Sequence, residues 1–218
     1  MEEAFAILET FAGERGVELT AHKRKLIEEY IGALLEQNKT VNLTAEADAS
    51  SILLRHIADG LAAIPVLKKH TNSEHPRICD VGSGGGFIGM SIKIFWPEAE
   101  VTLMEALDRK FKFLNMAAAR TGLKGLRVLK KKAGVDRLNS LETGFDAVVA
   151  RALAPLPEAL KTCLPLLKEG GVFVDYESDR ARADPKTLAE LSARLVESFP
   201  YRLPGEDKDR HLAVFGRQ

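Results

Sequence analysis

Two runs of apolar residues at helical spacing dominate the first third of the chain. Leu26, Ile27, Tyr30, Ile31, Leu34 and Leu35 form one stripe, and Ile52 to Leu67 form the other. Apolar positions returning every three to four residues predict amphipathic helices, here an N-terminal helical cap over residues 1–72. From Arg77 onward the pattern changes to short apolar runs alternating with helical stripes. Strands are expected at Ile78 to Val81, Val101 to Met104, Leu126 to Leu129, Phe145 to Ala150, Gly171 to Tyr176, Tyr201 to Leu203 and His211 to Phe215. Helices are expected at Ile88 to Phe95, stopped by Pro97, and at Lys110 to Thr121, with Phe111, Leu114 and Ala118 inward and Gly122 as the stop. Two more are expected at Leu156 to Leu167 and Pro185 to Val196. Alternation of this kind predicts an α/β fold: a mostly parallel, seven-stranded sheet covered on both faces, over residues 73–218, forming one compact unit.

Composition narrows the class. A chain of 218 residues, 45% hydrophobic and 28% charged, can bury one substantial core. Its acidic start, Met1-Glu2-Glu3, is unlike an export signal, and no apolar run approaches membrane-spanning length, so a cytoplasmic protein without membrane contact is expected. Cys79 and Cys163 fall inside a predicted strand and helix, as small core residues do, and no metal-ligand constellation is present. The oligomeric state is open, with a monomer favoured.

The chemistry concentrates in Arg77-Ile-Cys-Asp-Val-Gly-Ser-Gly-Gly-Gly-Phe-Ile-Gly89, a strand ending in a carboxylate, then glycines, then a helix start. Glycines let main chain run close beneath a ligand, and the helix N-terminus presents unpaired N–H groups to an anion. Gly84-x-Gly86-x-x-Gly89 matches a dinucleotide fingerprint, a weak signal alone. Asp80, Gly82, Gly84 and Gly86 match an S-adenosylmethionine loop more completely, because a carboxylate beside the loop suits an ammonium and repels a pyrophosphate. Glu105, about 20 residues on at the end of the next strand, suits the ribose hydroxyls of either cofactor. Phe87 either covers the cofactor or belongs to the core.

Ligands of such a sheet lie at the carboxyl ends of its strands. That places Asp80 to Gly86, Glu105 to Leu107, Lys132 to Gly134, and Arg151 around one crevice. Net charge is zero, yet Ala106 to Arg137 carries ten basic residues against Asp108 and Asp136, a face suited to phosphate or simply to solvent. No nucleophile–base arrangement stands out, and Tyr176 lacks the following lysine that a dehydrogenase of NAD would use.

Four segments taken together resemble one family: Gln37-Asn-Lys-Thr-Val-Asn-Leu-Thr44, Arg55-His-Ile-Ala-Asp59, Asp80-Val-Gly-Ser-Gly-Gly-Gly-Phe87 and Phe145-Asp-Ala-Val-Val-Ala-Arg-Ala152. It is the ribosomal small-subunit RNA methyltransferase G family, also called glucose-inhibited division protein B, and the likeness runs from Asn38 to the Arg210-His-Leu-Ala-Val214 ending. The resemblance implies a Rossmann-like S-adenosylmethionine-dependent methyltransferase fold and methylation at N7 of a guanine in the 530 loop of 16S ribosomal RNA, free or within the small ribosomal subunit. It implies cofactor contacts at Gly82, Phe87, Glu105, Ala106, Leu107, Ala133, Gly134 and Arg151. Candidates for the RNA are Arg55, His56 and Arg109, oriented by Asp59, although Arg55 and Asp59 share a helix face and equally suit a structural ion pair. Departures from the family pattern fall at Gln37, Ile88, Arg109, Gly134 and Glu177, the last reversing a charge near the expected RNA path. A non-catalytic cofactor-binding partner of the ribosome is the alternative reading.

Overall fold

The structure, a computed structural model, describes residues 1–177 and 184–218, with the side chain of Glu177 also outside the description. The charge reversal expected at Glu177 and its neighbour Ser178 therefore lies outside the described residues. Helices α1 (Glu2–Gly13) and α2 (Ala21–Val41) open the chain. A continuous helical run follows: α3 (Ala49–Ile52), a π-helical turn (Leu53–Ile57), α4 (Ala58–Ala62) and α5 (Ile64–His70). The α/β part comprises β1 (Arg77–Val81), α6 (Phe87–Phe95), β2 (Glu100–Met104), α7 (Asp108–Thr121), β3 (Leu126–Leu129), β4 (Phe145–Arg151), α8 (Leu156–Cys163), β5 (Leu167–Glu177), α9 (Pro185–Glu190), β6 (Ala193–Arg202) and β7 (Asp209–Arg217).

The strands form one sheet in the order β3-β2-β1-β4-β5-β7-β6, parallel except for β7, which runs antiparallel to both neighbours. The expected mostly parallel, seven-stranded α/β architecture with its helical cap is present. Strand order reverses direction beside β1, which pairs with both β2 and β4, so the crevice at the carboxyl ends opens between β1 and β4.

Alternation along the strands decides which side chains enter that crevice. Ile78, Ala147, Val149, Val172 and Val174 join the core shared with α1 to α7, whereas Cys79, Val148, Ala150 and Phe173 join a second core under α8. A period of two then places Asp80, Arg151 and Tyr176 on the face covered by the N-terminal helices. The cap is packed tightly there. A Cβ added at Gly60 of α4 would lie 2.5 Å from the Ser91 Cβ of α6, so only glycine permits this helix crossing.

Several elements differ from the sequence reading. Helix α8 ends at Cys163 and passes into one 3-10 turn, because Pro165 supplies no N–H to continue it, and Leu167 already starts β5. Ala193 to Val196 is strand, not helix: Ser192 takes φ +49, the chain turns, and pairing with β7 outweighs the helical stripe. In α7 the inward residues are Phe113, Leu114, Ala117 and Thr121, with Phe111 and Ala118 half-buried, because this is the face that packing against α2 and β3 covers. The run Ala49–His70 is, by length and composition, long and apolar enough to cross a bilayer, contrary to expectation, but 67% of its most apolar window is buried in the core. Both cysteines are buried free thiols.

Replacing Gly60 by alanine should destabilise the protein by roughly 1–3 kcal/mol through overpacking against Ser91. Gly13→Ala, with nothing within 4 Å of the new Cβ and helical backbone, should be neutral to stabilising by up to about 1 kcal/mol. Urea unfolding of the two variants checks this, and equal stabilities would refute the tight crossing.

Candidate cofactor cleft and its charged floor

A cleft of about 280 Å³ opens at the β1/β4 reversal, lined by Asp80, Gly82 to Gly85, Phe87, Ile88, Lys110, Arg151, Ala152 and Leu43 of the cap. The glycine run wraps its rim. Gly82, Gly84 and Gly86 have φ of +70, +59 and +83, a backbone region open to glycine at little cost. A Cβ at Gly84 would make only ordinary contacts, with the Gly82 carbonyl at 3.8 Å and Lys110 Nζ at 4.0 Å, whereas at Gly82 it would lie 2.7 Å from Leu153. On the opposite rim Ala152 holds φ +54, strain of the kind that collects at functional sites.

Three contacts fix the loop. Tyr30 of α2, fully buried, donates its hydroxyl to the Gly85 carbonyl at 2.5 Å. Asp80 Oδ2 accepts from the Gly89 N–H at 2.9 Å, capping α6 where Gly86 has no side chain to do so. Glu105 accepts from two amides, Gly84 N at 2.9 Å through Oε2 and Leu107 N at 2.7 Å through Oε1, and so ties the glycine run to the turn after β2. Among the described residues no acceptor meets the N–H groups of Phe87 and Ile88, the first two of α6. Burial raises the Asp80 carboxyl to about 6 despite the Gly89 N–H, which acts in the opposite direction.

The floor is built by charges from distant segments. Arg151, ending β4, donates from Nη1 to Asp59 Oδ2 at 2.6 Å, and Asp59 is completely buried. The expected Arg55–Asp59 pair is not formed. The π-helical turn Leu53–Ile57 changes the angular spacing between them, and Arg55 instead meets Glu46 at 2.7 Å and Glu206 at 3.4 Å on the surface. His56 stacks on Phe87 with ring centroids 4.2 Å apart. Burial first, then Arg151, Arg55 and Arg210, hold His56 down at about 3, so its ring is neutral at pH 7. A guanidinium only donates, so His56 Nδ1 is the acceptor facing Arg151 Nη2 at 3.4 Å, and Nε2–H donates to Thr44 Oγ1 at 3.0 Å.

The remaining expected site residues are spread around this cleft. Ala106 and Leu107 form the turn after β2, with Leu107 58% exposed. Ala133 and Gly134 form a turn after β3, outside the cleft lining, where a Cβ at Gly134 would be 3.4 Å from Thr162 of α8. Arg109 is exposed on the first turn of α7. Asp59 faces the crevice only through Arg151. Of the cleft-lining residues, Leu43 and Lys110 were not singled out by sequence. Lys110 was one basic residue among ten, and Leu43 reaches the rim because Asn38 accepts from the N–H groups of Leu43 and Thr44, at 2.7 and 3.0 Å, folding that loop inward. In the basic stretch, Lys112 and Lys130 share Asp108, at 2.8 and 2.5 Å, so part of its positive charge is already compensated.

The chain is similar to known proteins in sequence and in fold. The family profile described as rRNA small subunit methyltransferase G matches residues 23–212. Proteins named ribosomal RNA small subunit methyltransferase G are similar over nearly the whole chain. The one from Exiguobacterium sibiricum is 33% identical over 96% of this chain and 89% of its own length, and the one from Macrococcus caseolyticus is 31% identical over 91% and 84%. Among solved structures, a SAM-dependent methyltransferase from Aquifex aeolicus superposes with TM-score 0.54 at 16% identity, covering 77% of this chain and 93% of its own. A ribosomal protein methylase from Lactobacillus delbrueckii subsp. bulgaricus does so with TM-score 0.55 at 19% identity, covering 75% and 79%. The last two likenesses concern the fold.

The buried Asp80 has a pH signature. Its folded pKa, about 6, lies above the unfolded value, so the carboxyl favours folding when protonated, and this contribution disappears as pH rises through about 6. Asp80→Asn should therefore gain roughly 1–3 kcal/mol relative to the unaltered protein between pH 4 and pH 7.5. Urea unfolding at both pH values tests it, and a pH-independent difference would place Asp80 in a better solvated setting.

Proposed function

The chain belongs to the rRNA small subunit methyltransferase G family, and from that premise we propose that it methylates N7 of a guanine in the 530 loop of 16S ribosomal RNA, using S-adenosylmethionine. The observation that carries the reading is the cleft between β1 and β4, where unpartnered main-chain N–H groups, a buried carboxylate and an arginine converge. The residues present suit the cofactor. The cleft lined by Gly82 to Gly85 leaves room for its amino-acid end, the N–H groups of Phe87 and Ile88 offer donors to its carboxylate, and Asp80 lies beside that position to receive its ammonium. Each oxygen of Glu105 accepts one amide hydrogen and retains a lone pair for a ribose hydroxyl. Exposed Leu107 and Ala106 in the turn after β2, and Ala133-Gly134 in the turn after the neighbouring β3, offer apolar and main-chain surface to an adenine. When bound, S-adenosylmethionine supplies an electrophilic methyl group on its sulfonium.

Guanine N7 carries a free lone pair, so the protein has no proton to remove and acts mainly by alignment and exclusion of water. N7 is hard to reach in an A-form helix, which favours a base in a loop or turned out of its stack. On this reading the exposed Arg109 meets RNA phosphate, as does Arg55 by exchanging its surface partners Glu46 and Glu206, while His56 and Asp59 serve behind them by holding Thr44 and Arg151. The partner is then the 16S RNA or the small subunit, and the location the cytoplasm.

Purified protein should transfer labelled methyl from S-adenosylmethionine to small-subunit RNA lacking the modification, with N7-methylguanosine recovered from the 530 loop after nuclease digestion. Transfer to another position would overturn the target, and binding without transfer would make the protein a cofactor-dependent partner. Glu105→Ala should weaken S-adenosylhomocysteine binding at least about tenfold in calorimetry, and unchanged binding would remove the ribose role.

Joint replacement of Lys130, Lys131 and Lys132 by alanine should reduce the salt dependence of RNA binding by about one to two charges, fewer than three because Lys130 is paired with Asp108. An unchanged slope would assign these lysines to solvent alone.

A further inference from the structure

The Asp59 carboxylate is held by hydrogen-bond donors from two strands, with a cation from a third nearby. Oδ2 accepts from Arg151 Nη1 at 2.6 Å, and Oδ1 accepts from the Tyr201 hydroxyl of β6, 142 residues away in sequence. Arg210 of β7 approaches Oδ2 only to 3.9 Å, and its stronger partner is Glu206, reached from Nε at 3.0 Å and from Nη2 at 2.9 Å. Asp59 has no exposed surface, so both of its oxygens depend on these donors.

Arg151 has few other anchors. Its second amino group is 3.4 Å from His56 Nδ1, a weak contact, and its guanidinium lies 5.5 Å from the centre of the Phe87 ring. Among the described residues the ion pair with Asp59 is its one short contact, and Arg151 is a wall of the cleft. Where the guanidinium lies is therefore set by how the Asp59 carboxylate is turned, and that is set by the donor on its other oxygen. Position 201 pairs with Arg210 in the β6–β7 ladder, and its half-buried ring packs on the core as a phenylalanine ring would. Neither the ladder nor the packing needs a hydroxyl.

We propose that Tyr201 and Asp59 are positioning residues of the cleft, acting through Arg151: the Tyr201 hydroxyl fixes the Asp59 carboxylate, which fixes the arginine against the cofactor. The proposal rests on the reading of Arg151 as a cofactor-facing residue. Neither residue touches the cofactor itself. Their reach explains how β6, at the far edge of the sheet, bears on a cleft formed by β1 and β4.

A double-mutant cycle separates this from a merely structural role. Affinity for S-adenosylhomocysteine is measured by calorimetry on the full chain for the unaltered protein, Tyr201→Phe, Arg151→Ala and the combination, with thermal midpoints recorded alongside. Tyr201→Phe should weaken binding about five- to tenfold, and Arg151→Ala at least about tenfold. The combination should be no weaker than Arg151→Ala alone within about twofold, because the hydroxyl has no route to the cofactor once the arginine is gone. Asp59→Asn, if its midpoint shows it folded, should reproduce the Tyr201→Phe loss and likewise vanish in the Arg151→Ala background. Additive losses, or a Tyr201→Phe protein binding like the unaltered one while Arg151→Ala binds weakly, overturn the positioning role and leave the cofactor reading standing. Unchanged affinity in Arg151→Ala overturns both.

Discussion

A carboxylate with no exposed surface constrains this fold more than any other single group. Removing the partner of such a charge costs roughly 3–5 kcal/mol, so the chain must bring donors to Asp59 wherever α4 places it. It brings them from β4 and β6, with a third cation from β7 nearby. The N-terminal helices are thereby fastened to strands β4 and β6 beside the point where the cleft opens. The close crossing of α4 over α6 at Gly60 and the Tyr30–Gly85 hydrogen bond fasten the other side of the same cleft. The helical cap is thus a wall of the site as well as a cover for apolar strands.

Within the cleft the acidic residues have structural work before any ligand arrives. Asp80 caps α6 through Gly89, and Glu105 joins the glycine run to the turn after β2. A carboxylate has more lone pairs than these amides use, so each can hold the loop and still accept from a ligand. The elevated Asp80 carboxyl shows what burial costs: an ionised group kept away from water until a cation is placed beside it. Strain at Ala152 and a π-helical turn at Leu53–Ile57 lie on the opposite rim and floor, and both direct side chains into the site.

Much of this was legible in the residue pattern. The glycine run between Asp80 and Gly89, Glu105 at the end of β2 and the alternation of strand with helix are local features, and β1 to β4 and α6 formed near their expected bounds. The family likeness rested on the same local segments. The misread places have local causes too. Pro165 stopped α8 early, and in α7 packing against α2 and β3 buried Phe113 and Ala117 in place of Phe111 and Ala118. At Ala193 to Val196 a helical stripe lost to ladder hydrogen bonds with β7, a competition that neighbouring residues do not reveal.

Sequence by itself determined the mostly parallel sheet covered on both faces and the glycine run after its first strand, because these follow from periodicity and glycine placement within a few residues. Only the tertiary structure decided which charges meet. Arg55 and Asp59, four residues apart, separate, while Asp59 joins Arg151 and Tyr201 from the other end of the chain. Ion pairs depend on where burial leaves a charge without water, and burial belongs to the assembled fold.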